Sequence, residues 1–214
     1  MLRRKIIRVI THTVSFITLV TISVFMNATA GYAWNIITID SETHNDNTNL
    51  ALGSYSDDGA WKWRYWPTCN NTGYRYTSVE VNPLRHGIAF WRVQIPKTGF
   101  YKIETSYFAT ENRTSDADYA VYVNTTTTAA TNKTAKPVFA TVINQIGNDV
   151  TWKTLGTYCL KKNDISMIVL DNNDDSGSAS TDAGRWTYMG EEYSSKICGG
   201  ESKIVPIVDM LLRD

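Results

Sequence analysis

Apolar and polar residues alternate with a period of two along much of this chain, which predicts β-strands rather than helices. In 89–95 every second residue, beginning with Ala89, places an apolar side chain on one face. In 100–108 the face that carries Tyr101, Ile103 and Tyr107 is the apolar one. The intervening Pro-Lys-Thr-Gly at 96–99 is typical of a turn. We therefore predict a β-hairpin over 89–108.

Further strands are predicted wherever short apolar or alternating runs are bounded by Gly, Asn and Asp. No long segment has apolar residues at the i, i+3, i+4 spacing of an amphipathic helix. About nine short strands with such turns indicate an all-β fold, an antiparallel β-sandwich of jelly-roll type with almost no helix. The remaining predicted strands are 34–40, 74–81, 119–124, 138–145, 151–160, 165–171 and 204–213.

Three connections between the predicted strands are longer than a compact sandwich needs. They span 56–73, 124–136 and 172–203, and the middle one is a low-complexity polar tip. Loops of more than about a dozen residues are usually either functional or disordered. We therefore expect the chemistry of this protein in the first and third connections.

The first 30 residues have the pattern of a secretory signal peptide. A basic start, from Arg3 to Arg8, precedes an apolar stretch over 14–26 and the small-residue sequence Ala-Thr-Ala at 28–30. A membrane anchor is the alternative, but the apolar run is shorter than the roughly 20 residues that span a bilayer. We predict a signal peptide over 1–30 and a single domain over 31–214. The processed protein would be secreted, extracellular or periplasmic, and not transmembrane.

The charge balance changes once this segment is set aside. The whole chain has 21 basic and 21 acidic residues and a formal net charge of zero. Residues 1–30 contain four of the basic residues and none of the acidic ones, which leaves 17 against 21 and a net charge of −4. A nucleic-acid partner is disfavoured, because little remains to neutralise a run of phosphates.

The densest chemical signal is an aromatic and cationic run at 61–66. Sugar rings stack on aromatic planes, and neighbouring charged groups can bind their hydroxyls, so the run predicts a carbohydrate platform. Trp186 and Tyr188 repeat this composition in the third connection. The alternative is that these rings plug one end of the sandwich, since large aromatic side chains are mostly buried. The candidate carbohydrate-binding residues are Trp61, Trp63, Arg64, Tyr65, Trp66, Trp186 and Tyr188.

Several short motifs follow one another along the chain, and the most specific of them spans 111–121, with Asn112, Arg113, Ala117, Tyr119 and Val121. The order of these motifs resembles that of the golvesin-like domain, which also occurs in xanthan lyase. The resemblance covers about 37–213 and implies a β-sandwich that binds carbohydrate. The other matching pieces are Ile39-Asp40, Leu52-Gly53-Ser54-Tyr55, Tyr74-Arg75-Tyr76, the segment 89–101, the Trp152–Tyr158 segment and the closing stretch 207–213.

Related sugar-binding sandwiches often hold a structural Ca²⁺ between their first and last strands, where Asp40 and Asp209 lie in this sequence. A second acidic cluster, with Asp171 and Asp174, opens the third connection. Carboxylate oxygens at short spacing suit Ca²⁺. The alternative is that these residues are solvated turn positions or, for Asp209, that an arginine or backbone amides pair with it.

The three cysteines are candidates for disulfide formation in an oxidising compartment. If the first and last strands of the jelly roll pair, the first and third long connections emerge at one end of the sandwich. Cys69 would then lie near Cys198, whereas Cys159 would lie elsewhere. We therefore predict a Cys69–Cys198 bridge, with three unconnected thiols as the alternative.

Catalytic motifs are weak in this sequence. There is no G-x-S-x-G, no glycine-rich phosphate loop, and only His44 and His86 follow the predicted signal. We expect a non-catalytic domain that binds glycan or cell-surface polysaccharide. The alternative is a structural or adhesive surface protein that contacts another protein, and a weaker one is a divergent polysaccharide-cleaving enzyme that uses paired glutamates.

Overall fold

A computed structural model of the chain describes residues 35–41, 53–77, 87–172 and 177–199. The chain divides into two units, residues 1–36 and 37–214, and the architecture below is that of the second unit. The predicted signal peptide and the predicted strand 204–213 lie outside the described residues. So do His44, His86, Asp174 and Asp209.

The regular secondary structure of the described residues is almost entirely β, as the period-two pattern predicts. One short helix, α1 (Thr127–Thr131), and a 3-10 turn at Asn70–Thr72 occur within these ranges. The strands are β1 (Ile36–Asp40), β2 (Gly53–Asp57), β3 (Trp61–Tyr65), β4 (Gly73–Thr77), β5 (Ile88–Gln94), β6 (Gly99–Phe108), β7 (Ala117–Val123), β8 (Phe139–Ile143), β9 (Val150–Leu160), β10 (Ile165–Asp171), β11 (Ser180–Thr181), β12 (Ala183–Gly190), β13 (Glu192–Tyr193) and β14 (Lys196–Ile197).

Two antiparallel sheets form the sandwich. One has the order β1-β12-β6-β9 and the other the order β2-β5-β10-β7-β8. A smaller sheet, β11-β4-β3, and the β13-β14 hairpin complete the described strands. The prediction of an antiparallel β-sandwich is confirmed.

The faces predicted from alternation are also the faces that the core uses. On β5 the core cluster takes Ala89, Trp91 and Val93, and on β6 it takes Tyr101, Ile103 and Tyr107. Phe90, on the other face of β5, belongs to a separate cluster with Ile88, Tyr122, Ala130, Met167 and Val169. The five-stranded sheet is therefore apolar on both faces.

The predicted hairpin over 89–108 is wrong, because β5 and β6 do not pair with each other. β5 pairs with β2 and β10, whereas β6 pairs with β9 and β12. The turn at 96–99 therefore carries the chain from one sheet of the sandwich to the other. It is held there by Tyr101, whose hydroxyl donates to the Lys97 carbonyl at 2.8 Å.

The second long connection folds onto the outer face of the five-stranded sheet. The Thr126 hydroxyl caps α1 by accepting from the Ala129 backbone N–H at 3.1 Å. The helix then buries Ala130 in the cluster on that face. This polar stretch therefore has an apolar contact that its composition does not reveal.

The third connection is not a loop. It contains β11, β12 and the β13-β14 hairpin, and β12 lies between β1 and β6 in the four-stranded sheet. The neighbour of β1 is therefore β12, where the prediction had placed 204–213. The first connection likewise contains β3, an edge strand of the small sheet paired with β4.

A β-bulge in β9 requires a glycine. The register between β6 and β9 shifts after the Ile103–Gly156 pair, and the next pair joins Glu104 to Thr154. Gly156 has φ +129°, and a Cβ there would meet the Tyr158 hydroxyl at 2.3 Å. The extra residue, Leu155, is buried in the core.

Candidate functional site

The aromatic run at 61–66 divides between the core and the surface. Trp61 is buried in the main core cluster, at the start of β3. Trp63 and Tyr65 are 45% and 59% exposed, and Arg64 is also exposed. Trp66, just after the strand, is 37% exposed. Trp61 therefore presents no surface for a sugar, whereas the other four residues do.

Trp186 lies in the sandwich core rather than in a loop. Its side chain is fully buried, and its Nε1 donates to the Ser166 hydroxyl at 2.9 Å. Tyr188 is half-buried, with its ring edge-on to Tyr101 at 5.4 Å and the Lys97 ammonium 4.8 Å from its centroid. The prediction that Trp61 and Trp186 bind carbohydrate on exposed loops is wrong, because both residues lie on strands and are buried in the main core cluster. For these two residues the alternative of buried rings is the one that the structure supports.

A groove of about 640 Å³ lies where β3, β4 and the end of β6 meet two loops. Arg64 and Trp66 are the members of the predicted platform that line it. The groove combines aromatic faces with cationic, anionic and amide groups. The other lining residues are Tyr74, Tyr76, Phe108, Ala109, Thr110, Glu111, Asn112, Arg113, Gly147 and Asn148.

Packed aromatic rings form one wall of this groove. The Trp66 ring lies 4.7 Å from Phe108, and Tyr74 lies 4.8 Å from Phe108, measured between centroids. Behind them Cys69 is buried in the same cluster. The Trp66 backbone N–H donates to the Thr72 carbonyl at 2.8 Å. Trp66 is therefore held between a fixed backbone and a packed neighbour, with part of its ring open to the groove.

Arg113 provides the buried positive charge of the groove. Its guanidinium lies 5.5 Å from the Tyr74 ring centroid and 5.3 Å from that of Tyr76. It donates to the Phe108 carbonyl, the Ser178 hydroxyl and the Tyr74 hydroxyl at 3.3, 3.0 and 3.3 Å. Burial lowers the pKa of Arg113 from its usual value, and the nearby charge of Arg64 acts in the same direction.

The polar rim comes from the loop that follows β6. Glu111 and Asn112 are exposed there, and Asn112 accepts a hydrogen bond from the Thr110 hydroxyl. The motifs of the family resemblance include Tyr74, Tyr76 and the segment that begins at Glu111, but none of these residues was predicted to belong to a binding site. The sequence therefore marked these residues as part of a family motif. Their position next to Trp66 depends on the fold and could not be predicted from the motif.

The disulfide prediction is wrong. The bridge joins Cys159 to Cys198, whose Cα atoms are 5.1 Å apart, and Cys69 is a buried cysteine outside it. Cys159 lies at the end of β9, and the β13-β14 hairpin brings Cys198 back to that end of the strand. The predicted pairing assumed that 172–203 was a loop, and the strands within that segment give Cys198 a different position.

Of the candidate calcium ligands, Asp40 and Asp171 lie within the described residues, and each has a partner there. Asp40 is buried and accepts a hydrogen bond from the Asn70 side-chain amide, and the Asn70 backbone N–H donates to Asp182 at 3.1 Å. Asp171 forms an ion pair with Lys133 at 3.6 Å. Within the ranges that the structure covers, no group of three or more His, Cys, Asp or Glu side chains is placed to hold a metal. Calcium binding therefore stays a prediction.

The described part of the chain has no helix that is long and apolar enough to cross a membrane. No match was found among curated proteins. Solved structures do match. A xanthan lyase from Paenibacillus superposes with a TM-score of 0.53 and 16% identity, over 72% of this chain. This chain spans only 13% of the length of that lyase.

Two carbohydrate-binding modules superpose less closely. A family 35 module from Clostridium thermocellum has a TM-score of 0.45 and 12% identity, over 71% of this chain and 96% of the module. A module from Cellvibrio mixtus lichenase 5A, solved with cellotriose, has a TM-score of 0.42 and 15% identity, over 71% of this chain and 95% of the module.

The model of the Golvesin C-terminal domain matches residues 43–188. The match ends within β12 and does not reach 207–213, to which the resemblance had assigned the closing strand of the family. Residues 189–199, with the β13-β14 hairpin and Cys198, follow the matched segment. The match covers well over half of the chain, which therefore belongs to the family of the Golvesin C-terminal domain.

Proposed function

We propose that this chain is a non-catalytic domain that binds a glycan or cell-surface polysaccharide in the groove beside Trp66. The observation that carries the proposal is the composition of the groove, in which a partly exposed indole lies next to guanidinium, carboxylate and amide groups. Ligand sites in proteins typically combine such apolar walls with a few polar groups. Family membership and the solved carbohydrate-binding modules agree with this proposal but do not identify the ligand.

The chemistry of a sugar fits the two kinds of surface in the groove. The face of a pyranose ring carries C–H groups, and these are attracted to the negative face of an indole. Its edge carries hydroxyls, which can accept from Arg64 and exchange hydrogen bonds with Asn112. Trp66 would therefore bind the ring, and the polar rim would select the arrangement of its hydroxyls.

Cleavage of the glycan is not part of the proposal. Glycoside hydrolysis by the common mechanisms uses two carboxyl groups that flank the scissile bond. Among the described residues that line the groove, Glu111 supplies one carboxylate and no second one accompanies it. We therefore assign recognition to the groove and leave any cleavage to another domain or protein.

Secretion is part of the same proposal. The signal-peptide pattern of 1–30 predicts export, and the Cys159–Cys198 bridge suits the oxidising environment outside the cytoplasm. A partner polysaccharide on a cell surface or in the medium would then be accessible to the groove.

The test is binding of the purified protein to a glycan array, compared with Trp66→Ala and Trp63→Ala. Both tryptophans are partly exposed and lie three residues apart, but only Trp66 lines the groove. We expect at least a tenfold loss of affinity in Trp66→Ala and wild-type affinity in Trp63→Ala. Equal affinity of all three proteins for the same glycan would remove the groove as the site.

A protein partner is the second candidate function. Trp63 and Tyr65 expose their rings outside the groove, on the edge strand of the small sheet. Exposed aromatic side chains are enriched in protein interfaces. If no glycan binds and Trp63→Ala weakens adhesion of the protein to cells, the adhesive function would be favoured.

A further inference from the structure

Arg113 is a buried cation whose hydrogen-bond partners among the described residues are all neutral. The residue is only 8% exposed, and its side chain donates hydrogen bonds to a carbonyl and two hydroxyls. No carboxylate in the described residues forms an ion pair with it. Buried charges are ordinarily paired, because removal from water is costly when no counter-charge compensates it.

The aromatic neighbours compensate this charge only in part. The Tyr74 and Tyr76 rings lie within 5.5 Å of the guanidinium carbon and attract it through their quadrupoles. A quadrupole carries no net charge, so the floor of the groove keeps a full positive charge. The position thus favours a negatively charged group on whatever occupies the groove.

Arg64 adds a second positive charge to the same groove. It is exposed, and it lines the groove with Arg113. Burial is the main cause that lowers the pKa of Arg113, and the charge of Arg64 adds a smaller effect in the same direction. Glu111 supplies one negative charge on the rim. Two guanidinium groups against one carboxylate leave a net charge of +1 on the lining, whereas the chain as a whole has a formal net charge of zero.

We infer that the groove selects an acidic glycan, with the carboxylate of a uronate-type sugar bound by Arg64 and Arg113 while its ring packs on Trp66. This inference rests on the proposed function, since it names the class of glycan. The planar fork of a guanidinium matches a carboxylate better than it matches a hydroxyl, and charge-assisted hydrogen bonds are about twice as strong as neutral ones. A neutral sugar in this position would leave the net charge of +1 on the groove lining uncompensated.

The net charge of the whole chain would not produce the same preference for an acidic glycan. A strongly basic protein binds any polyanion through long-range attraction. This chain has equal numbers of basic and acidic residues, and removal of the predicted signal would make it acidic. Preference for an acidic glycan would therefore have to come from the local arrangement in the groove.

The test compares polygalacturonate, alginate and hyaluronan with the carboxyl-reduced form of each, by titration calorimetry on the whole protein. Reduction turns the carboxylate into a hydroxymethyl group and leaves the linkage unchanged. We expect at least one acidic polymer to bind ten times more tightly than its reduced form. Equal affinity within every pair would overturn the inference while leaving the proposed function in place, and binding to none of these polymers and to no glycan on the array would overturn both.

Single-charge variants identify the groups responsible. Arg64→Gln is expected to weaken binding of the acidic polymer about tenfold and binding of the reduced polymer much less, because the glutamine amide can still donate to a hydroxyl but carries no charge. Lys153→Gln, which removes an exposed cation on β9 away from the groove, is the matched control. Equal loss in both variants would indicate non-specific attraction and overturn the inference, as would tighter binding of dextran sulfate than of any uronate polymer.

Glu111→Gln and Arg113→Lys complete the series. Glu111→Gln should tighten binding of the acidic polymer several-fold, because it removes the repulsion between the rim carboxylate and the carboxylates of the polymer. Arg113→Lys keeps the charge but loses the planar fork, and we expect weaker binding of the acidic polymer by tenfold or more. Since Arg113 is buried and its replacement can affect folding, the exposed Arg64 and Glu111 variants decide the inference independently.

Discussion

Two core tryptophans differ in the environment of their indole nitrogens. Trp91 and Trp186 are both fully buried in the main cluster. Nε1 of Trp186 donates to the Ser166 hydroxyl at 2.9 Å, whereas Nε1 of Trp91 has no hydrogen-bond partner among the described residues. The two rings therefore contribute similar apolar burial, and only one of them contributes a polar contact.

This difference predicts unequal costs for the same substitution. Trp186→Phe removes the donor and leaves the Ser166 hydroxyl buried without it, so we expect it to lower the free energy of unfolding by about 1–2 kcal/mol more than Trp91→Phe. Urea unfolding followed by circular dichroism measures both. Adding Ser166→Ala to Trp186→Phe should recover part of the loss. Equal costs for the two single variants would contradict the role of the hydrogen bond.

The aromatic run at 61–66 illustrates what composition can indicate at the level of residues. The residue types predicted a sugar platform, and the period of two predicted alternate faces. Exposure along the run depends on what each face meets: Trp61 meets the main core, and Trp66 meets Phe108 at the groove. Those contacts join distant parts of the chain, and no local pattern encodes them.

At the level of elements, the disulfide ties the β13-β14 hairpin to the end of β9. The bridged cysteines are 39 residues apart in sequence. Non-reducing peptide mapping should find Cys159 linked to Cys198 and no linked peptide that contains Cys69. A linked peptide containing Cys69 would contradict the structure.

The bridge should also contribute to stability. A closed loop of this length restricts the unfolded chain, and the chain-entropy model assigns about 4 kcal/mol to the restriction. We expect a double Cys159→Ala, Cys198→Ala variant to lose up to that amount in urea unfolding. Addition of a reductant should then lower the free energy of unfolding of the wild-type protein but not that of this variant. A reductant effect of equal size in the variant would assign the loss to another group.

A charge cluster joins three strands of the four-stranded sheet. Glu104 on β6 accepts from Lys102 at 2.7 Å and from Arg185 of β12 at 2.9 and 2.8 Å, and Arg185 stacks 3.9 Å from the centroid of Trp152 on β9. Burial raises the pKa of Glu104, but the hydrogen bonds from Lys102 and Arg185 outweigh it, so the pKa lies below its ordinary value.

The direction of this pKa shift determines how Glu104 makes the stability of the fold depend on pH. Because the pKa of Glu104 is lower in the folded than in the unfolded chain, the ionised group stabilises the fold above its unfolded pKa of about 4.3. That stabilisation is lost as the pH falls below this value. Urea unfolding at pH 6 and pH 3 should therefore show a smaller difference in Glu104→Gln than in the wild type. An unchanged difference would show that other carboxylates carry the dependence.

Strand faces could be predicted from the sequence, but strand partners could not. The apolar faces of β5 and β6 follow from the period of two, which is a property of each strand by itself. The turn at 96–99 suits either a hairpin or a crossing between sheets, and the choice depends on β9, β10 and β12, which follow later in the chain. The wrong disulfide has the same origin, since Cys198 was placed by an assumed strand order.

At the scale of the whole molecule, the groove and the outer face of the five-stranded sheet are separate surfaces. The groove is lined from β3, β4 and two loops, whereas a second cavity of about 420 Å³ is lined by β7, β8, β10 and the segment around α1. The two cavities share no lining residue. Loss of stability at one surface should therefore leave binding at the other intact.

A crossed pair of variants tests this separation. Ala130→Glu places a charge into the buried contact between α1 and the sheet, so we expect it to lower the free energy of unfolding by several kcal/mol while the folded fraction keeps wild-type glycan affinity. Trp66→Ala should do the reverse, with a large loss of affinity and a smaller loss of stability, because its ring is already partly exposed. Affinity measured by calorimetry below the unfolding transition, and stability measured in urea, separate the two effects. Parallel losses of affinity and stability in both variants would mean that the groove is shaped by the whole sandwich rather than by its own lining.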